Sequence, residues 1–418
     1  MRSTPFRLST QLASLPILIP ALVTTFLPLL CFPSAAHAQD VACAVGAPTG
    51  DADPEPENTA EAAELRGLAT GAGVKVAVID TGVTRHPQLD QLVGGADFVT
   101  PDAPEPFKDC DAHGTVVAGI IAGADAGIAP DAEIMSIRQS SGHYRSSSSM
   151  PQGGEETPGA GDLETLTRSI HNALDEKAGI INISVVSCVE PALAPRVDTR
   201  GIEGALQRAE RDGAVVVAAA GNVSHECPAG STVYPAHFAT VLTVGARSDS
   251  HTIADYSLPV PEGKGLVTAP GTIGRALAPG APGWSAGKAG QRGVVEPFTG
   301  TSFAAPVVSG TAALLRQRYP HASPAQIRGM IVASAEPHGG AVDPLRAVTY
   351  LERELSASPD PLRVVPVETV ASAAPARGGF AVACVVLAAV IAFAAGALHS
   401  AFRNARRSQP NPVVRPGQ

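Results

Sequence analysis

Four short stretches hold residues with the chemistry of acyl transfer. Asp80 lies in "VAVIDTGV", His113 sits in "DAHGTVVAG", Asn222 ends "VVVAAAGN", and Ser302 lies in "FTGTSFAAPVVSG". A hydroxyl can attack a carbonyl if an imidazole takes its proton. A carboxylate can orient that imidazole, and an amide can donate to the oxyanion that forms. Each residue alone has a plainer reading. Asp80 before Gly82 suits a turn, His113 suits close packing, Asn222 suits a loop, and Ser302 suits a helix cap. What favours chemistry is the setting of Ser302. Gly300, Ala304 and Ala305 are thin enough to let substrate and imidazole approach, and Pro306 is expected in the first turn of a following helix, where its missing N–H costs little. The N-terminus of that helix offers free N–H groups and partial positive charge to an oxyanion.

The elements around these residues place them at the right ends. The β-branched runs 74–80, 132–138, 178–187, 214–222 and 239–246 read as buried parallel strands. Helix-period stretches lie between them, at 113–123, 162–177 and 202–213. Asp162 is the expected cap with Thr165 three residues on, and Ser323–Pro324 marks the start of a late helix. Strands alternating with helices predict an α/β fold, a mostly parallel sheet covered on both faces. Asp80 and Asn222 then fall at the carboxyl ends of strands, where such sheets bind ligands. Residues 139–161 are rich in Ser, Gly and Pro and read as a mobile loop.

The two ends of the chain read differently. Arg2, Arg7, a long apolar stretch and "AHA" predict a secretory signal over 1–38, cleaved after Ala38, with an uncleaved anchor as the alternative. Residues 39–73 form an extended arm that ends in a short helix. The peptidase-sized domain covers 74–354, and a linker covers 355–379. Residues 380–398 carry no charge and are long enough to span a bilayer. The arginines 403, 406 and 407 follow, so the tail 399–418 is expected in the cytoplasm and the main domain outside it. The chain has 418 residues, 44% of them hydrophobic and 17% charged, with a net charge of -9, which suits a globular core and excludes a nucleic-acid partner. No cofactor is expected. The acids of 51–57 suit a solvated arm, and no acid cluster suited to calcium stands out, so no metal is expected. Six cysteines occur. Cys31 and Cys384 fall in the apolar ends, leaving Cys43, Cys110, Cys188 and Cys227 for an oxidising compartment, where four thiols allow three pairings.

The order Asp80, His113, Ser302 is that of the subtilisin-type triad, unlike the chymotrypsin and α/β-hydrolase orders. With "HGTVVAGIIAG", "AAAGN" and "GTSFAAPVVSG", the chain resembles the subtilisin-like serine peptidases over about residues 70–352. An esterase elbow of the G-x-S-x-G kind does not match at Ser302. The signal, the cysteine-bearing arm, "GTSFAAP", "INISVVSC" and the basic-tailed C-terminal span resemble more narrowly the mycosins, membrane-anchored subtilases of type VII secretion systems. The arm lacks the proline-rich opening expected of that group. The resemblance implies a three-layer subtilisin-like sandwich and a Ser–His–Asp endopeptidase that acts on protein or peptide substrates. It also implies a second role, as a structural component of a membrane secretion complex in which proteolysis is dispensable. It implies the disulfides Cys43–Cys110 and Cys188–Cys227, each worth roughly 3–4 kcal/mol in the chain-entropy picture. Substrate is expected along the edge Ser184, Val185 and Val186 by strand pairing. Similar proteases have glycine at the position matching Val186, which implies a narrower pocket here.

Overall fold

A computed structural model describes residues 42–49, 59–144, 161–249, 251–260, 265–290, 293–350 and 386–400. The chain divides into two units, Met1–Glu352 and Arg353–Gln418. In the first unit seven strands form one wholly parallel sheet: β1 Lys75–Asp80, β2 Leu92–Asp97, β3 Glu133–Arg138, β4 Ile180–Ile183, β5 Val215–Ala219, β6 Leu242–Arg247 and β7 Thr268–Pro270, in the spatial order β7-β6-β5-β4-β1-β3-β2. The helices are α1 Thr59–Leu68, α2 Gly114–Ala122, α3 Leu163–Asp175, α4 Arg200–Asp212, α5 Thr301–Arg318, α6 Pro324–Ser334 and α7 Pro344–Thr349.

Alternation along each strand divides the core in two. Val76, Val78, Ile134, Ile180, Val215, Val217 and Val244 point to the face covered by α2 and α5. Ala77, Ile79, Met135, Ile137, Ile181, Ile183, Val216 and Ala218 point to the face covered by α3 and α4. Both faces are apolar because both are covered, which is why these strands read as continuous runs rather than alternating ones. Each buried valine, leucine or isoleucine contributes roughly 1.5–3 kcal/mol, so two such layers account for the main driving force. The three-layer α/β sandwich expected from the pattern is present.

Several boundaries differ from expectation, for physical reasons. The run 178–187 does not stay in the sheet. The strand stops at Ile183, and Ser187–Val189 pairs antiparallel with Thr232–Tyr234. Pro306 lies inside α5, five residues past its start, rather than in the first turn. There its missing N–H leaves the Ser302 carbonyl without its usual helical donor. The head of the 139–161 segment packs rather than floats. Gln139, Ser140 and Ser141 are buried, and Gln139 donates to Thr165 Oγ1 at 3.0 Å and to the Asp162 carbonyl at 3.2 Å. Residues 145–160 lie outside the described residues. Asp162 does cap α3, accepting from the Thr165 N–H at 2.7 Å, and Ser323 opens α6 with Gln326 as a capping box.

The arm contributes a strand, Gly46–Pro48, that pairs antiparallel with Trp284–Ala289. The chain there is fastened by a Cys43–Cys110 disulfide, and a second disulfide joins Cys188 to Cys227.

The signal 1–38, the linker 355–379 and the tail 399–418 lie outside the described residues apart from 399–400. In the second unit, residues 386–400 are helical, with Leu387, Val390, Ile391 and Phe393 exposed. No helix among the described residues is long and apolar enough to cross a membrane. Residues 380–385 of the expected span lie outside them.

Candidate active site

β1 delivers Asp80 at its carboxyl end, fully buried. Its Oδ1 accepts the Nδ1–H of His113 at 2.7 Å and the Thr81 N–H at 2.7 Å. Its Oδ2 is buried with no partner among the described residues, so Oδ1 carries all of the carboxylate's bonds, shared between the imidazole and Thr81. His113 is the N-cap of α2, and Asp109 holds that end. The Asp109 carboxylate accepts from the N–H groups of His113 and Thr115 at 3.2 and 2.9 Å and from the hydroxyls of Thr81 and Thr115 at 2.8 and 2.7 Å. It thereby takes up helix donors that have no carbonyl partner of their own. Gly114 is needed where α2 meets the β1 loop, since a Cβ there would sit 2.1 Å from the Gly82 carbonyl oxygen.

α5 delivers Ser302 in its first turn, after Gly300 at φ 155° and ψ 160°. That backbone region is nearly exclusive to glycine. A Cβ on Gly300 would also lie 3.0 Å from both Asn222 Nδ2 and Ser302 Oγ. Asn222 follows β5, and its amide is fixed by Thr301. The Thr301 N–H and hydroxyl donate to Asn222 Oδ1 at 2.9 and 3.0 Å, and the Gly221 N–H donates to Thr301 Oγ1 at 3.1 Å. With Oδ1 occupied from α5, the Nδ2 donor of Asn222 is the part left for a ligand. Behind the nucleophile, Ser309 of α5 donates to Asn182 of β4 at 2.8 Å, and Asn182 donates to Ser184 at 2.9 Å. The Phe303 ring packs on the His113 ring at 4.9 Å between centroids, which joins the start of α5 to the start of α2.

One cleft of about 320 Å³ is lined by His113, Asn222, Ser302 and all of Ser184, Val185 and Val186. Asp80 stands behind it through His113. The structure thus brings together every residue singled out from the sequence for catalysis and for substrate. The four paired cysteines flank this region. Cys110 follows Asp109, and Cys188 and Cys227 line an adjoining cavity of about 520 Å³ that shares Val185, Val186 and Asn222 with the cleft. Thr81, Asp109, Thr301, Phe303 and Lys288 escaped the sequence reading. Thr81 and Thr301 adjoin key residues, and their neighbourhood was the available signal. Asp109 and Lys288 carried none.

Burial presses against a charged His113. The Asp80 carboxylate outweighs it by charge and by hydrogen bond, with Lys288 pushing down and Asp109 up. The net result lifts His113 above its ordinary 6.5. Burial raises Asp109 above the usual carboxylate range, against the hydrogen bonds from Thr115 and Thr81, and repulsion from Asp80 adds to the rise.

Residues 71–357 match the peptidase S8 subtilase family. The chain belongs to that family, and its class is that of the subtilisin-like serine endopeptidases. Within the class it is similar to the mycosins. Mycosin-4 of Mycobacterium tuberculosis is 39% identical over 332 residues, covering 73% of this chain and 70% of that protein. The crystal structure of MycP1 from Mycobacterium smegmatis superposes with a TM-score of 0.66 at 32% identity, over 75% of this chain and 89% of that one. A chain of the intact ESX-5 inner membrane complex superposes with a TM-score of 0.67 at 30% identity, over 86% and 94%.

Proposed function

We propose that this chain is a membrane-anchored, extracytoplasmic serine endopeptidase that works with a type VII secretion complex. The observation that carries the catalytic part is the Asp80–His113 hydrogen bond directed into the cleft that also holds Asn222 and Ser302. Asp80 fixes the tautomer in which Nδ1 carries the proton and Nε2 is free to act as base. His113 takes the Ser302 proton as Oγ attacks the scissile carbonyl. Asn222 Nδ2 and the Ser302 N–H receive the oxyanion. His113 then gives its proton to the leaving amine, and water repeats the cycle on the acyl-enzyme. The peptide lies along Ser184, Val185 and Val186 by strand pairing. The signal 1–38 and the span 380–398 hold residues 39–379 outside the cytoplasm, with the basic tail inside.

The secretion role rests on likeness to mycosin-4 and to the chain within the ESX-5 inner membrane complex. That second likeness also favours a purely structural part in such a complex. Two measurements separate the readings. A fluorophosphonate should label the folded protein at Ser302, read by mass spectrometry, and Ser302→Ala should abolish labelling and peptide cleavage. Secretion lost in the Ser302→Ala strain makes catalysis the essential role. Secretion kept in that strain, but lost on deletion of the gene, leaves the structural role. Folded wild-type protein that takes no label at Ser302 would exclude the peptidase mechanism.

A further inference from the structure

Lys288 lines the catalytic cleft with His113 and Ser302 but does not line the adjoining cavity beside Cys188 and Cys227. It is half-buried, and its side chain has no hydrogen bond or ion pair among the described residues. An unpaired ammonium that lines a cleft can take its counter-charge from whatever occupies the cleft. The acids nearby are engaged or turned away. Asp80 serves His113, Asp109 serves the start of α2, and Asp111 accepts from the Ser141 hydroxyl and the His143 N–H. Glu296 stands opposite Lys288 in the strand ladder, but its carboxylate lies over Gly290 and makes no ion pair with it.

The mount is rigid. Lys288 sits in the strand Trp284–Ala289, paired with Gly46 of the stapled arm on one side and with Glu296 on the other. Its charge reaches the reaction centre, since it opposes protonation of His113. We infer that Lys288 is a specificity residue that pairs with an acidic side chain of the peptide close to the scissile bond, selecting Asp- or Glu-containing sequences. This deepens the peptidase reading and rests on it. A substrate carboxylate would pair with the unpartnered ammonium and cancel its repulsion of the catalytic imidazolium, so selection appears in kcat/KM.

The test digests a mixed peptide library with the full chain and reads cleavage sites by mass spectrometry. Wild-type protein should enrich Asp or Glu about five- to tenfold at a position adjoining the cut, the scale of a partly buried charge pair. Lys288→Gln should lose that enrichment, and Lys288→Glu should turn it toward Lys and Arg. Lys288→Gln should also move the acid limb of the kcat/KM profile to higher pH, a shift that a purely structural lysine would not give. Wild-type cleavage without acidic enrichment, or enrichment kept in Lys288→Gln, overturns the inference while leaving the peptidase reading intact. A wild-type chain that cleaves nothing overturns both.

Discussion

At the scale of single residues, the site is a set of donors and acceptors whose partners are already assigned. Asn222 illustrates it, because Thr301 occupies its carbonyl and leaves its amine. Asn222→Ala should lower kcat by about 10²–10³-fold with little change in KM, the scale known for one oxyanion donor in a subtilisin. Steady-state kinetics on one peptide checks this. His113 makes a second prediction with a definite sign. Its raised pKa means that the protonated form is favoured by folding. The stability it contributes is therefore full below 6.5 and fades as pH rises through the folded value. Catalysis runs the other way, because the base must be neutral. The acid limb of kcat/KM should have its midpoint above 6.5, and Asp80→Asn should move it down while costing about 10⁴-fold in kcat. A pH–rate profile of both proteins decides it. The four residues proposed for catalysis were legible because each stands in a short motif at a strand end or helix start. Lys288 and Asp109 were not, since their importance arises from contacts made across the fold.

At the scale of elements, the β-branched strands were legible and the glycine-bearing ones were not. The middle of β1, Val76 to Ile79, and all of β5 are unbroken apolar runs, which suit a doubly covered strand. β2 is "LVGGAD", whose glycines argue against a strand by propensity. Gly95 nevertheless lets the β3 side chains lie close, since a Cβ there would sit 2.6 Å from Met135 Cε and 2.8 Å from Ile137 Cγ1 and they would have to shift. The hairpin strand "WSAGKA" hid for the same reason: Gly287 leaves room for Glu296. β4 ends earlier than its β-branched run predicts, because the continuation to Val186 leaves the sheet to line the cleft. Contact between elements also sets a mutational prediction at Gly114. A methyl group cannot fit beside the Gly82 carbonyl, so Gly114→Ala must push α2 away from the β1 loop. The expected cost is about 1–3 kcal/mol. Activity should fall more than stability, since the Asp80–His113 bond spans that junction. Thermal unfolding measured beside kcat/KM tests the coupling. A variant that keeps full activity would show that the junction is looser than its packing.

At the scale of the whole molecule, the division at Glu352 and the composition of the ends bear on where catalysis happens. Everything needed for the cleft lies in the first unit, between the arm and α7. Lys288 reaches the cleft on a strand paired with the arm, so the arm is structurally part of the catalytic unit rather than a detachable lead-in. This makes two truncations informative in opposite ways. A chain ended at residue 354 should fold, label at Ser302 and stay in the aqueous phase when membranes are sedimented. The full chain should label equally and sediment with them. Removal of residues 39–58 should instead weaken the active unit, because it deletes the Gly46–Pro48 strand and Cys43 together. The lost disulfide alone is worth roughly 4 kcal/mol in the chain-entropy estimate. Labelling rate and Tm of that form should both drop. If the arm-deleted chain labelled as fast as the full one and melted at the same temperature, the arm would be dispensable to the site. If the chain ended at 354 still sedimented with membranes, the apolar C-terminal segment would not be what holds the enzyme there.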